Sequence, residues 1–101
     1  MGSNNAIRIY DKGVAIITGG ASGIGRALAA SLAKRGCEVV IADLQADLAQ
    51  ELVAKIAAAG GKATAATINV ADFAALERLV KDTIERTGRL DYMFNNAGIG
   101  I

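Results

Sequence analysis

Eight residues constrain this chain more than any others: Thr18-Gly19-Gly20-Ala21-Ser22-Gly23-Ile24-Gly25. An apolar run, Val14-Ala15-Ile16-Ile17, leads into them, and a helix-forming run, Arg26 to Lys34, leads out. The order is strand, glycine turn, helix. Glycines let a backbone turn sharply and approach a ligand closely, because no Cβ stands in the way. The helix that follows presents free N–H groups and the positive end of its dipole. The flanking strand and helix make these glycines readable as a phosphate cradle. Without them the glycines would be a plain turn.

The same alternation continues along the chain. After the strand Val14 to Thr18 comes a helix from about Gly23 to Lys34, closed by Gly36. Its expected buried stripe is Ile24, Leu28 and Leu32. A second strand spans Glu38 to Asp43, and a second helix runs from about Ala46 to Ala59. That helix has Leu48, Leu52 and Ile56 on its apolar side, and Gly60-Gly61 end it. A third strand is expected over Thr64 to Val70, anchored by Ile68 and Val70. Asp72 then N-caps a third helix, Phe73 to Thr87, whose apolar face is Phe73, Leu76, Val80 and Ile84, with Leu79 beside them. Leu90 to Phe94 is expected as a fourth strand, and Asn95-Asn96-Ala97-Gly98 as the turn leaving it. Strands alternating with helices over short connections imply a parallel sheet with right-handed crossovers. The expected class is α/β, a Rossmann-like doubly wound sheet in the order 3-2-1-4. The first two helices should cover one face and the third the other. The fourth strand becomes an open edge, with Tyr92, Met93 and Phe94 near uncovered apolar surface.

Size and charge narrow the partners. A chain of 101 residues is one small domain or part of a larger one. The net charge of +1 suggests neither a nucleic acid nor an acidic membrane as partner. No apolar run approaches the roughly 18 residues that span a bilayer. Met1 to Asn5 begins like a myristoylation signal, but Ala6 stands where Ser or Thr is wanted, so residues 1–12 read as a polar tail. Cys37 is the only cysteine and cannot form an internal disulfide, which suits a cytoplasmic location. It precedes the apolar run Val39-Val40-Ile41, and the chain has no His to activate it, so it reads as a small buried residue.

Asp43 stands last on the second strand, 18 positions after Gly25. In a dinucleotide-binding βαβ unit, an acidic residue at about this distance accepts hydrogen bonds from the adenosine ribose. A carboxylate there also repels a 2′-phosphate. Ala21 and Leu44, where a basic side chain could meet that phosphate, are neutral. The expected cofactor is NAD, in preference to NADP.

The glycine spacing G-x-x-x-G-x-G, with Asn95-Asn96-Ala97-Gly98 after the fourth strand, resembles the short-chain dehydrogenase/reductase family of NAD(P)-dependent oxidoreductases. The resemblance runs from Lys12 to Gly98. It implies that Gly19, Ser22, Gly23, Ile24 and Gly25 line the pyrophosphate and adenosine region, and that Thr18 ties the loop to the Asn-Asn-Ala-Gly turn. It implies also that Asp43 holds the ribose and that Asn69 and Val70 flank the adenine. Asn96, Ala97 and Gly98 would pass beneath the nicotinamide-side ribose. The family commonly has Asp where Asn69 stands; an Asn carbonyl oxygen can still accept from the adenine amino group.

The resemblance further implies catalysis by a Tyr-x-x-x-Lys pair, a Ser and an Asn downstream of this turn. Neither Tyr10 nor Tyr92 has a Lys four residues on, so no catalytic residue is assigned here, and no metal site. Residues 13–101 are therefore expected to be the cofactor-binding part of a homo-oligomeric enzyme acting on an alcohol or carbonyl, cut before its catalytic segment. Two other functions fit the same residues: a non-catalytic nucleotide-binding module, and an interaction fragment whose glycines are only structural. Taken alone, the 101 residues are expected to self-associate or to need the rest of their enzyme.

Overall fold

A computed structural model describes residues 13–96. The elements are β1 (Val14–Thr18), α1 (Gly23–Lys34), β2 (Glu38–Asp43), α2 (Ala46–Ala58), β3 (Lys62–Thr67), α3 (Phe73–Thr87) and β4 (Tyr92–Asn95). The four strands form one parallel sheet in the order β3-β2-β1-β4. Val14 through Thr18 are all buried, as are Val39 through Asp43. Strands covered on both faces need no polar alternation, and these two have almost none.

Successive strand residues point to opposite faces, so each face has its own core. On one side Ala15, Ile17, Val39 and Ile41 pack with Ala29, Leu32 and Ala33 of α1 and Ala49, Leu52 and Ile56 of α2. On the other, Ile16, Val40 and Ala42 meet Leu79 and Val80 of α3. Two helices on one face and one on the other is the arrangement the alternation implied. Tyr92 and Phe94 stack at a centroid distance of 6.3 Å and pack on the α1/α2 side; Met93 faces α3. Tyr92 is thus a packing residue.

Four expectations change. Ile24 is 78% exposed, because it lies off the buried face of α1. The buried face of α1 is Gly25, Ala29, Leu32 and Ala33, whose small residues let the helix sit close to the sheet. β3 ends at Thr67, because its partner β2 ends at Asp43, which pairs with Thr67. Ile68 and Val70 lie past the strand and pack under α3 instead. β4 starts at Tyr92 because Asp91 precedes the ladder differently: its side-chain Oδ2 accepts from Val14 N at 2.8 Å, while its own N–H donates to Val14 O at 2.9 Å. Finally, the apolar face of α3 is only partly packed. Phe73 is 82% exposed and Ile84 44%, and Thr83 is the one buried residue of that helix.

Candidate cofactor site

Thr18 delivers the chain to the end of the sheet and helps close the loop there. Its Oγ1 donates to Phe94 O at 3.2 Å, at the end of β4. The next residue is tied twice: Gly19 N–H donates to Ala42 O at 2.8 Å, and Gly19 O accepts from Asn96 Nδ2 at 3.4 Å. The loop is thus tied to β2 on one side and to the residues leaving β4 on the other. The family resemblance implied Thr18 for the link to the Asn-Asn-Ala-Gly turn; the bond to Asn96 is made by Gly19, and the Thr18 Oγ1 bond goes to Phe94, within β4.

The glycines are required by geometry. Gly23 has φ +59°, a left-handed conformation that L side chains adopt at a cost. At Gly25 the limit is contact: a Cβ would stand 2.2 Å from Gly19 O and 2.8 Å from Asn96 Nδ2. Gly25 is therefore where α1 is pressed against the loop and Asn96. This close approach is possible for no other residue type.

The helix end is open to a ligand. Ser22 occupies the N-cap position of α1 in extended conformation, yet makes no side-chain capping bond. The first intrahelical bond is Arg26 N to Ser22 O, so the amides of the first turn keep their donors for an outside acceptor. Asp72, by contrast, caps α3 in the usual way, accepting from Ala75 N at 3.2 Å. Ser22, Gly23 and Ile24 are all exposed around the α1 end.

Asp43 is 7% exposed, and both of its carboxylate oxygens are placed. Oδ2 accepts from Ala21 N at 3.1 Å and Oδ1 from Gln45 N at 2.9 Å. Each oxygen keeps a second lone pair. The carboxylate therefore fastens the loop and the β2–α2 connection together while retaining acceptors for hydroxyl groups. Sequence spacing located Asp43 but gave no sign of this second task. Leu44, next along, is exposed.

The remaining expected residues are dispersed. Asn69 is exposed, and its Oδ1 accepts from Ala71 N at 3.0 Å in a tight local turn. One lone pair of that oxygen is thereby used, where the family's adenine contact would need it. Val70 is half-buried against the α3-side cluster. Asn96 is joined to the loop as described, while Ala97 and Gly98 lie outside the described residues. Arg26 was missed by sequence reasoning. Its Nη1 donates to Ala21 O at 3.4 Å, and its Nη2 is 3.9 Å from Glu51 Oε1.

A cavity of about 340 Å³ lies at the other end of the strands, lined by Gly13, Cys37, Glu38, Lys62, Arg86 and Arg89 among others. Two of its cations have anionic partners, Arg86 with Glu38 and Arg89 with the neighbouring Asp91. Burial pushes the Cys37 thiol up, with the Asp91 charge adding to the effect and Arg89 opposing it. A thiol held in its neutral form is a poor nucleophile. The carboxylate fixed at this end, Asp91, is taken up by Val14 N and Arg89. No group of metal-ligating side chains occurs among the described residues, and none of their helices is long and apolar enough to cross a membrane.

Comparison with known proteins agrees with this geometry. The family model for short chain dehydrogenase matches residues 13–101. The chain is similar to tropinone reductase-like 2 from Erythroxylum coca, at 51% identity over 86 residues, covering 85% of this chain and 30% of that protein. It is similar also to a cyclohexanol dehydrogenase from Acinetobacter sp. (strain SE19), at 41% identity over 90 residues, covering 89% of this chain and 36% of that protein. Among solved structures, a metagenomic short-chain oxidoreductase in complex with NADP superposes with a TM-score of 0.82 at 32% identity, over 87% of this chain and 40% of that one. The chain thus spans about a third of the length of the curated relatives it matches. With sequence match, strand order and loop geometry in agreement, the chain belongs to the short-chain dehydrogenase family.

Proposed function

We propose that these residues are the dinucleotide-binding part of an oxidoreductase that transfers hydride between a nicotinamide cofactor and an alcohol or carbonyl, with NAD preferred over NADP. The observation that carries this reading is the fixed Asp43 carboxylate, joined through Ala21 N to a glycine loop that opens onto the uncapped end of α1. The loop would take the pyrophosphate on backbone N–H groups, since the amides of the first turn of α1 have no intrahelical acceptors. The remaining lone pairs of Asp43 would accept from the ribose hydroxyls, and its charge would repel a 2′-phosphate. When bound, the nicotinamide supplies the hydride donor or acceptor. Gly25 and Asn96 would hold the loop closed beneath the cofactor. The substrate class is supported by the names of the relatives, which are reductases and dehydrogenases.

Self-association is part of the same proposal, supported by the exposed Phe73 and Ile84 on α3. A cytoplasmic location is supported by the lone, buried Cys37. Dissociation constants for NADH and NADPH, measured on the purified protein by cofactor fluorescence, test the reading. NADH binding at least about tenfold tighter than NADPH is expected, because one repelled charge contributes on the order of 1.4 kcal/mol. Equal affinities would remove the preference, and no binding of either would remove the cofactor site.

A further inference from the structure

The end of the sheet opposite the glycine loop holds two hollows that run into one another. One is the cavity of about 340 Å³ lined by Cys37, Glu38, Lys62, Arg86 and Arg89. The other is a groove of about 560 Å³ between α1 and α2, floored by Ala30, Ala33, Ile56 and Ala59 and edged by Lys34 and Lys55. Ala33, Gly36, Gly60 and Gly61 line both, so the two form one continuous surface. We propose that this surface binds a free long-chain carboxylate, with its head in the cavity and its chain in the groove.

The charges favour an anion. Five cations line the two hollows against one carboxylate, Glu38. Arg86 is held by Glu38, Arg89 by Asp91, and Lys55 by Glu51 at 3.5 Å. Lys62 stands opposite Glu38 in the ladder between β2 and β3, yet Glu38 is taken by Arg86. Among the described residues, neither Lys62 nor Lys34 has an anionic partner. Cys37 adds a weak donor to the cavity wall: it is 1% exposed, and its thiol has no hydrogen-bond partner among the described residues. The carbonyl ends of α1 and α2 oppose an anion. Ala33 O, Ala57 O and Ile56 O, however, are taken up by the amides of Gly36, Gly60 and Gly61. The groove supplies the other half of the site. Apart from the two lysines its side chains are alanines and one isoleucine, so it offers a ligand removal from water and no hydrogen bond. A small hydrophilic anion would leave the groove unused, and a neutral chain would leave the lysines unpaired. A long-chain carboxylate satisfies both.

Calorimetric titration of the 101-residue chain with sodium dodecanoate, kept below its micelle concentration, tests the proposal. Saturable binding near one equivalent is expected, with dodecyltrimethylammonium at least about fivefold weaker, the order of a screened ion pair. K34Q/K62Q should weaken dodecanoate about fivefold on the same scale. A30E, which puts bulk and a negative charge in the groove, should weaken it further. Lys34, Lys62 and Ala30 are all exposed, so the variants should keep the wild-type circular dichroism and melting temperature. Absence of saturable dodecanoate binding would overturn the proposal, as would equally tight binding of the ammonium analogue. So would dodecanoate binding unmoved by both variants. Binding lost in F73E/I84E and kept in A30E would give the chain to the exposed face of α3 and overturn it too. Adsorption to phosphatidylglycerol vesicles without binding of monomeric dodecanoate would give the surface to a membrane, again against the proposal.

Discussion

Gly23 and Gly25 sit two residues apart and answer to different physics. Alanine at Gly25 places a Cβ against the Gly19 carbonyl and the Asn96 amide, so the loop or the helix end must move. Overpacking of this sort costs about 1–3 kcal/mol. If that cost falls on the glycine loop, NADH binding should weaken by roughly five- to 150-fold. Alanine at Gly23 meets no atom within 4 Å and carries only the left-handed strain, about 1–2 kcal/mol. Thermal melts with NADH titrations separate the two: G25A should lose binding out of proportion to stability, while G23A should lose stability first. Asp43→Asn makes a third case. An amide offers one acceptor oxygen where the carboxylate offers two, so either Ala21 N or Gln45 N loses its partner. That should cost about 1–3 kcal/mol of stability, with NADH binding reduced as well. D43N melting like wild type would show that Asp43 does not fasten the loop.

At the far end of β1, Arg89 beside Asp91 holds that carboxyl below the usual carboxylate range, opposed by desolvation and helped by Val14 N. A depressed folded-state value means the contribution is present above the unfolded value and is lost as pH falls through the folded one. Stability should therefore fall as pH drops below about 4. Asp91→Asn, which cannot titrate, should lessen that dependence in acid unfolding; an unchanged slope would count against it.

At the scale of elements, the sequence located β1, α1, β2 and α3 to the residue, because each has a cap, a glycine stop or an unbroken apolar run. Asp72 and Gly88 are the plainest: one caps α3 through Ala75 N, the other ends it at φ +85°. Asp72→Ala should cost about 1 kcal/mol, seen as a lowered denaturation midpoint. β3 and β4 were misplaced by about two residues for a reason outside their own composition. β3 stops where β2 has no more partners, and β4 yields its first ladder position to the Asp91 side chain. Ile24 shows the opposite failure. Periodicity alone put it in the core, but the buried face of α1 runs through Gly25, Ala29, Leu32 and Ala33. Glycine spacing and Asp43 were legible because they follow a one-dimensional rule. The Arg26–Ala21–Asp43 arrangement was not, because it depends on how the loop folds against α1 and the end of β2.

As a whole molecule, residues 13–96 form a doubly covered sheet whose α3 side is less complete than its α1/α2 side. Val70, Phe73, Leu76, Val80, Ile84 and Met93 line an apolar groove of about 860 Å³ there. Such surface binds an environment-sensitive dye such as anilinonaphthalene sulfonate, and the 101-residue chain should do so in its folded state. Substituting Phe73 and Ile84 by Glu should reduce the dye signal without loss of helical circular dichroism. The same double substitution should lower any mass above monomer seen by light scattering. The central claim, however, concerns the opposite feature, the loop from Thr18 to Gly25. Calorimetric titration of the purified protein with NADH tests it most directly. The account predicts saturable binding that G25A weakens at least about fivefold while circular dichroism shows the variant still folded. Absence of binding by a folded wild-type protein, or undiminished binding by G25A, would contradict it.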